Sequence, residues 1–293
     1  MLRLFRALSH LPLGLLQALG ALLGLAVYAA SPTYRKRLRA NLAQAGYAPS
    51  RLALDVARGT GRMLGEMPYV WFRFGPSAAV RRVQLVGKEH VEQAKREGRG
   101  ILFLTPHLGC FEVSGQVVSE WQPITVLYRP PRKSWVDSLV QARPRGQLRA
   151  APATVTGMRP LLRALRHGEA VGLLPDQAPG AGEGVWAPFF GRPAYTMTLP
   201  ARLVQLTGAR IILAFAERLP RGQGYVLHFL PFDETLPDDP VEAATRINLG
   251  VEGLIRMRPE QYLWGYNRYK APPGSLPMPS AQSDQAAQPG AAS

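Results

Sequence analysis

From Leu11 to Ala30 the chain reads LPLGLLQALGALLGLAVYAA, a run without a single charge. About 20 such residues are what a helix needs to cross the hydrocarbon core of a bilayer. The next stretch, 33–75, mixes apolar and basic positions at helical spacing (YRKRLRANLAQAGY, then LALDVARGTGRMLGEMPYVWFRF). From Val83 the rhythm changes, and short apolar runs alternate with helical patterns. VQLVG precedes a polar helix from Lys88 to Arg96, and ILFLT precedes a helix near Gly109–Glu120. PITVLY then precedes helices near Trp135–Arg143 and Met158–Arg166. AVGLLP leads through a Gly-rich loop to a helix near Met197–Thr207; RIILAFAE, YVLHFLPF and a helix from Pro240 to Met257 complete the pattern. Such alternation predicts an α/β fold, a central mostly parallel sheet flanked by helices. The unbroken apolar character of ILFLT and VGLLP suits strands buried on both faces.

The chain therefore divides into an N-terminal anchor over 1–32, one body over 33–271, and a tail over 272–293. The tail is rich in Pro, Ser, Gln and Ala and almost uncharged, a composition expected to stay disordered. The anchor has two readings. A charged start and an apolar stretch ending near Tyr28-Ala29-Ala30 also describe a secretory signal. Retention is favoured because the apolar run exceeds a signal core and because Arg35, Lys36, Arg37 and Arg39 follow it, which holds that side in the cytoplasm. Gly14, Gln17, Gly20 and Gly24 leave open a helix lying in the interface instead of spanning it. The expected location is the inner membrane, with the body facing the cytoplasm. The aromatic group Tyr69, Trp71, Phe72 and Phe74 reads equally as core or as an interfacial belt.

Charge sharpens the picture. Against 20 Asp and Glu stand 35 Lys and Arg, a net charge of +15, which calls for an acidic partner: nucleic acid, an anionic membrane or a phosphorylated substrate. The single cysteine, Cys110, excludes an intramolecular disulfide and a Cys-based zinc site, and it reads as a small buried residue. His10, His90, His167 and His228 lack metal-ligand spacing, so no metal is expected. The stretch Pro179–Gly184 lacks the Gly-Lys-Ser/Thr ending of a phosphate loop, and no cofactor is implied.

The chemistry concentrates in ILFLTPHLGCFEVSGQVV, which puts His107 just past a buried strand and Glu112 just inside the next helix. Residues five apart on one helix point about 140° away from each other. The two can meet only if His107 sits in the turn before the helix, which Pro106 and Gly109 permit. A neutral imidazole is then suited to take the proton of a hydroxyl, with a carboxylate on its other nitrogen fixing the tautomer. His-x4-Glu alone is weak, because such pairs arise by chance.

Its surroundings add weight. HLGCFE after a hydrophobic strand resembles the His-x-Gly-x-[Trp/Phe]-Glu block of the bacterial lipid A late acyltransferases, within the wider His-x4-Asp/Glu glycerolipid acyltransferases. LYRPPRKSWVD (Leu127–Asp137), ARPRG (Ala142–Gly146), LLPDQAPGAGEGVWAPFFGRPAYTMT (Leu173–Thr198) and PEQYLWGYNRYK (Pro259–Lys270) resemble that family's later blocks, in order. The likeness covers about residues 33–270. Cys110 and Phe111 depart from the Asn-Trp often found between His and Glu, and Pro144 leaves both Arg143 and Arg145 as candidates for one family position.

The resemblance implies that His107 is the base and Glu112 its orienting partner. Arg129 and Arg143 or Arg145 would bind phosphate or a developing oxyanion, and Asp176 and Gln177 would shape a substrate site. By itself, Asp176 could instead simply cap a turn before Gly180. It further implies acyl transfer from acyl carrier protein to a hydroxyl of a lipid A precursor, a phosphorylated glycolipid. Both partners suit a basic protein. Another lipid acceptor, such as a lysophospholipid or another glycolipid, fits the same residues. A non-catalytic membrane-surface or nucleic-acid-binding protein would explain the charge but not His107, Glu112 and the later blocks, so no nucleic-acid partner is expected.

Overall fold

The computed structural model describes residues 1–74, 83–129, 133–143, 146–153, 157–275 and 277–278. Arg145 and residues 279–293, most of the expected tail, lie outside them.

Four helices open the chain: α1 (Leu2–Ser9), α2 (Leu13–Ala30), α3 (Pro32–Gln44) and α4 (Pro49–Gly65). Ser31 separates α2 from α3 by capping the latter, its hydroxyl accepting from the Tyr34 N–H with Pro32 in the first turn. Helix α2 packs antiparallel along α4, where glycines let the two backbones touch. A Cβ on Gly24 would sit 2.1 Å from the Ala57 carbonyl oxygen, and one on Gly20 would sit 2.3 Å from that of Gly61. A short helical turn, Met67–Tyr69, runs into a π-turn, Val70–Phe74, and Tyr69, Val70 and Trp71 are core residues.

The body is a seven-stranded sheet of order β1-β9-β8-β2-β5-β3-β4. Its strands are β1 (Val83–Val86), β2 (Ile101–Leu104), β3 (Ile124–Tyr128), β4 (Leu148–Pro152), β5 (Ala170–Leu173), β8 (Arg210–Arg218) and β9 (Tyr225–Pro231). Every pairing is parallel except β8 with β9. Helices α5 (Lys88–Arg96), α6 (Phe111–Trp121), α7 (Ser134–Ala142), α8 (Met158–Arg166), α9 (Leu199–Thr207) and α10 (Pro240–Met257) connect the strands or cover them. Two elements escaped the sequence pattern: edge strand β4, and the antiparallel hairpin of β6 (Gly184–Phe189) and β7 (Arg192–Met197).

Strand β2 shows why the sheet is buried on both faces. Its side chains alternate, so Leu102 and Leu104 join one core with Leu161 of α8 and Ile247 and Val251 of α10. Ile101 and Phe103 join the other with Val91 of α5 and Val113 and Val117 of α6. Each such side chain contributes about 1.5–3 kcal/mol on removal from water. The predicted α/β fold with a mostly parallel, helix-flanked sheet is the observed one, and α2 is the apolar helix at its N-terminus.

Candidate active site

In an open α/β sheet, ligands gather at the carboxyl ends of the strands. His107 follows β2, Asp176 and Gln177 follow β5, and Arg129 follows β3, three neighbouring parallel strands. Leu104 of β2 pairs in register with Leu173 of β5, and the Thr105 N–H continues the ladder to the Leu173 carbonyl at 3.0 Å. His107 and Asp176 each lie three residues further on, so the register sets them side by side.

There Asp176 grips His107 twice. One carboxylate oxygen lies 2.9 Å from His107 Nδ1, and the other accepts the His107 backbone N–H at 3.0 Å. Asp176 is buried, which by itself raises its carboxyl. The His107 ring, its hydrogen bonds and the charge of Arg268 outweigh that burial and hold the carboxyl below its ordinary value. The Tyr262 phenol behind it is pushed well above its usual range, first by burial and then by the Asp176 carboxylate. With Nδ1–H donating to Asp176, the lone pair on Nε2 accepts from the Gln177 side-chain amide at 3.1 Å. Phe111 packs against the ring, centroid to centroid 5.0 Å.

The loop that carries His107 is fixed on all sides. Gly109 turns it at φ +61, and a Cβ there would lie 2.0 Å from the Ala216 carbonyl oxygen. The Gly109 N–H reaches the Gln261 carbonyl, Cys110 N–H the Ala216 carbonyl, and Leu263 N–H the His107 carbonyl, at 3.1, 2.8 and 3.1 Å. The buried guanidinium of Arg218 donates to the Gly109 carbonyl at 3.0 Å while paired with buried Glu66. Cys110 is buried too, and burial foremost, then Glu66, pushes its thiol far above its usual range, so it keeps its proton.

Glu112 lies elsewhere than expected. Its carboxylate takes the Arg143 guanidinium, which also stands over the Trp71 ring, and it has no hydrogen bond to His107 among the described residues. Helix geometry is not the reason, because His107 does sit in the turn before α6, where the two could have met. Residue 112 is in the first turn of α6 and faces the cleft, while the Nδ1 edge of the imidazole is already occupied by the β5 loop. Pairing of His107 with Asp176 was missed because it depends on two strands that are distant in sequence.

A cleft of about 590 Å³ opens at His107 and continues between α6 and the sheet, within the roughly 300–1,000 Å³ typical of ligand pockets. Its depth is apolar, with Phe103, Val118, Ile124, Val126, Val140 and Leu148 in the wall. Gly115 of α6 and Gly172 of β5 keep it wide. The Ser114 hydroxyl, also in the wall, is buried and has no hydrogen-bond partner among the described residues. Arg129, Arg143, Arg202, Glu112, Glu183 and Gln177 supply polar lining. Arg129, Arg143 and Gln177 are thus brought together with His107, while Asp176 stands behind the ring. Among the described residues, no group of three or more His, Cys, Asp or Glu could hold a metal ion.

Similar proteins carry the same chemistry in their names. The chain is 32% identical over 190 residues to a lipid A biosynthesis acyltransferase of Haemophilus influenzae, covering 63% of this chain and 58% of that protein. It is 31% identical over 223 residues to the lipid A biosynthesis palmitoleoyltransferase of Escherichia coli, covering 74% and 70%. The lauroyltransferase of the same organism is 30% identical over 224 residues, covering 75% and 71%. The sequence profile described as bacterial lipid A biosynthesis acyltransferase matches residues 1–271, and the chain belongs to that family.

Proposed function

We propose that this protein transfers a fatty acyl chain from acyl carrier protein to a hydroxyl of a lipid A precursor at the cytoplasmic face of the inner membrane. One observation carries the reading: a histidine with one nitrogen held by a buried carboxylate turns its other nitrogen to an apolar cleft lined with arginines. The acyl chain occupies the apolar depth between α6 and the sheet, and the thioester carbon stops near His107. The acceptor hydroxyl displaces the Gln177 amide and donates to Nε2.

The reaction then balances without a covalent enzyme intermediate. Nε2 takes the hydroxyl proton as the oxygen bonds to the thioester carbon. The carbonyl oxygen becomes an oxyanion, met by the guanidinium of Arg143. Collapse breaks the carbon–sulfur bond, and the departing thiolate receives the proton from Nε2. Asp176 stabilises the imidazolium that exists between these steps. Glu112 works through Arg143, whose guanidinium it orients at the cleft. Arg129, with Arg145 beyond the described residues, binds acceptor phosphate, for which the arginine fork is suited.

The test is an assay with radiolabelled tetra-acylated lipid A precursor and carrier proteins loaded with different chains, comparing wild type and His107→Ala. A product one acyl chain heavier, absent in the variant, is expected. Full activity of His107→Ala would remove the base. Transfer only from coenzyme A thioesters, or only to a lysophospholipid, would replace the donor or the acceptor.

A further inference from the structure

Helix α2 does not stand clear of the body. Its glycine side is closed against α4, while its other side shows Leu15, Leu19, Leu22, Leu23 and Val27, each between 44% and 64% exposed. A second cavity, of about 670 Å³, opens at the edge of this leucine face. Gly14, Gln17 and Ala18 of α2 form one wall, and Arg62 of α4, Arg221 of the β8–β9 turn and Glu260 contribute charge. Ala18 is three residues from Leu15 and four from Leu22, so the cavity rim and the leucine face are neighbours on the helix surface.

The charges in this cavity are not all satisfied. Arg218 is paired with Glu66, and Arg258 with Glu217. Arg62, Arg221 and Glu260 line the same cavity and form no side-chain ion pair among the described residues. Two free guanidiniums and one free carboxylate beside an apolar face complement a headgroup with one phosphate and one ammonium. The packing of α2 also fixes its attitude. The outer surface of α4 carries Arg51, Asp55, Arg58 and Arg62, and a spanning α2 would draw these charges toward hydrocarbon, which disfavours them.

We propose that α2 lies in the plane of one leaflet, its leucine face among acyl chains, with a phosphoethanolamine headgroup seated in this cavity. The phosphate sits between Arg62 and Arg221, and the ammonium faces Glu260. This site is independent of the acyl-transfer chemistry.

The experiment floats the purified full chain with sealed vesicles of phosphatidylcholine alone, or with phosphatidylethanolamine or phosphatidylglycerol added. The first two lipids are both net neutral, so a difference between them reads the headgroup. Wild type is expected to float several-fold more with ethanolamine present. Arg62→Gln/Arg221→Gln and Glu260→Gln should each lose that preference, and the double arginine variant should keep wild-type activity in detergent. Leu22→Ser/Leu23→Ser should lose flotation on every vesicle. A preference that survives in the double variant, or one for phosphatidylglycerol that survives Glu260→Gln, overturns the headgroup assignment. A concentration-dependent dimer in detergent, abolished by Leu22→Ser, gives the leucine face to a second copy. For attitude, His10→Cys and Ala30→Cys, made with Cys110 buried, should both react with an impermeant maleimide from the same side of sealed vesicles. Reaction of only one end from that side overturns the in-plane helix.

Discussion

His107 and Asp176 stand equally far beyond Leu104 and Leu173, two residues paired in parallel register, and that register sets imidazole beside carboxylate. The dyad belongs to adjacent strand ends, not to a single turn of helix.

Asp176→Asn therefore removes the charge that stabilises imidazolium and leaves the shape of the site. Transfer is expected to fall on the order of a hundredfold to ten-thousandfold, by analogy with buried carboxylates behind catalytic histidines. Its pH signature has a definite sign. The folded carboxyl is held below its unfolded value of about 3.9, so its stabilising contribution is present above that value. It is lost as pH falls through the lowered folded value. Denaturant titrations at a series of acid pH values should show a steeper loss of stability below about pH 4 in wild type than in the variant. Equal slopes would contradict the pairing.

Glu112 and Arg143 form a coupled pair, and a double-mutant cycle distinguishes two roles for the glutamate. If Glu112 acts by orienting Arg143, Glu112→Gln and Arg143→Gln should each cost on the order of tenfold to a hundredfold. Together they should cost little more than either one, because neighbours in one ion pair are not additive. Multiplying losses would mean that Glu112 acts on the substrate or on His107 by its own route. Steady-state rates with saturating donor supply the four corners.

These two cases mark what could be read from the chain. ILFLT and AVGLLP announced themselves as buried strands, and PHLG announced the turn that carries His107, because apolar runs and turn residues are local signals. That β2 and β5 are neighbours, with β3 beyond β5, is a crossover fact that no local pattern contains. Local signals therefore pair the imidazole with Glu112, the carboxylate nearest to it in sequence. Strand β4 (LRAAP) and the hairpin GVWAPF–RPAYTM were missed for another reason. Their prolines and charges read as loop, yet proline is tolerated at sheet edges.

Gly172 sets the width of the apolar cleft. A Cβ there would come 3.1 Å from Val126 Cγ1 and 3.4 Å from Ile124 Cδ1, so Gly172→Ala narrows the channel with small displacements of its walls. One methylene is worth about 1–3 kcal/mol in such a pocket. The variant should shift preference toward shorter acyl chains by about tenfold or more, measured in competition between carriers loaded with different lengths. An equal fall for every length would place the chain elsewhere.

Glu66 and Arg218 support the loop that carries His107. Both are buried, and the guanidinium donates to both Glu66 oxygens and to the Gly109 carbonyl. Glu66 also accepts from Gln17 of α2 and from the Tyr225 hydroxyl. Burial works against the Arg218 charge, but the Glu66 carboxylate more than offsets it and raises the guanidinium above its usual range. Removing one partner leaves a buried charge alone, so Arg218→Met should destabilise by about 3–5 kcal/mol, visible as a lower thermal midpoint. Replacing both, in Glu66→Leu/Arg218→Met, should recover much of that stability, since apolar side chains of similar volume often substitute for a buried pair. Activity should not recover with it, because the Gly109 carbonyl still lacks its donor and the turn holding His107 is released. A double variant with restored stability and full kcat would show that the pair only fills the core.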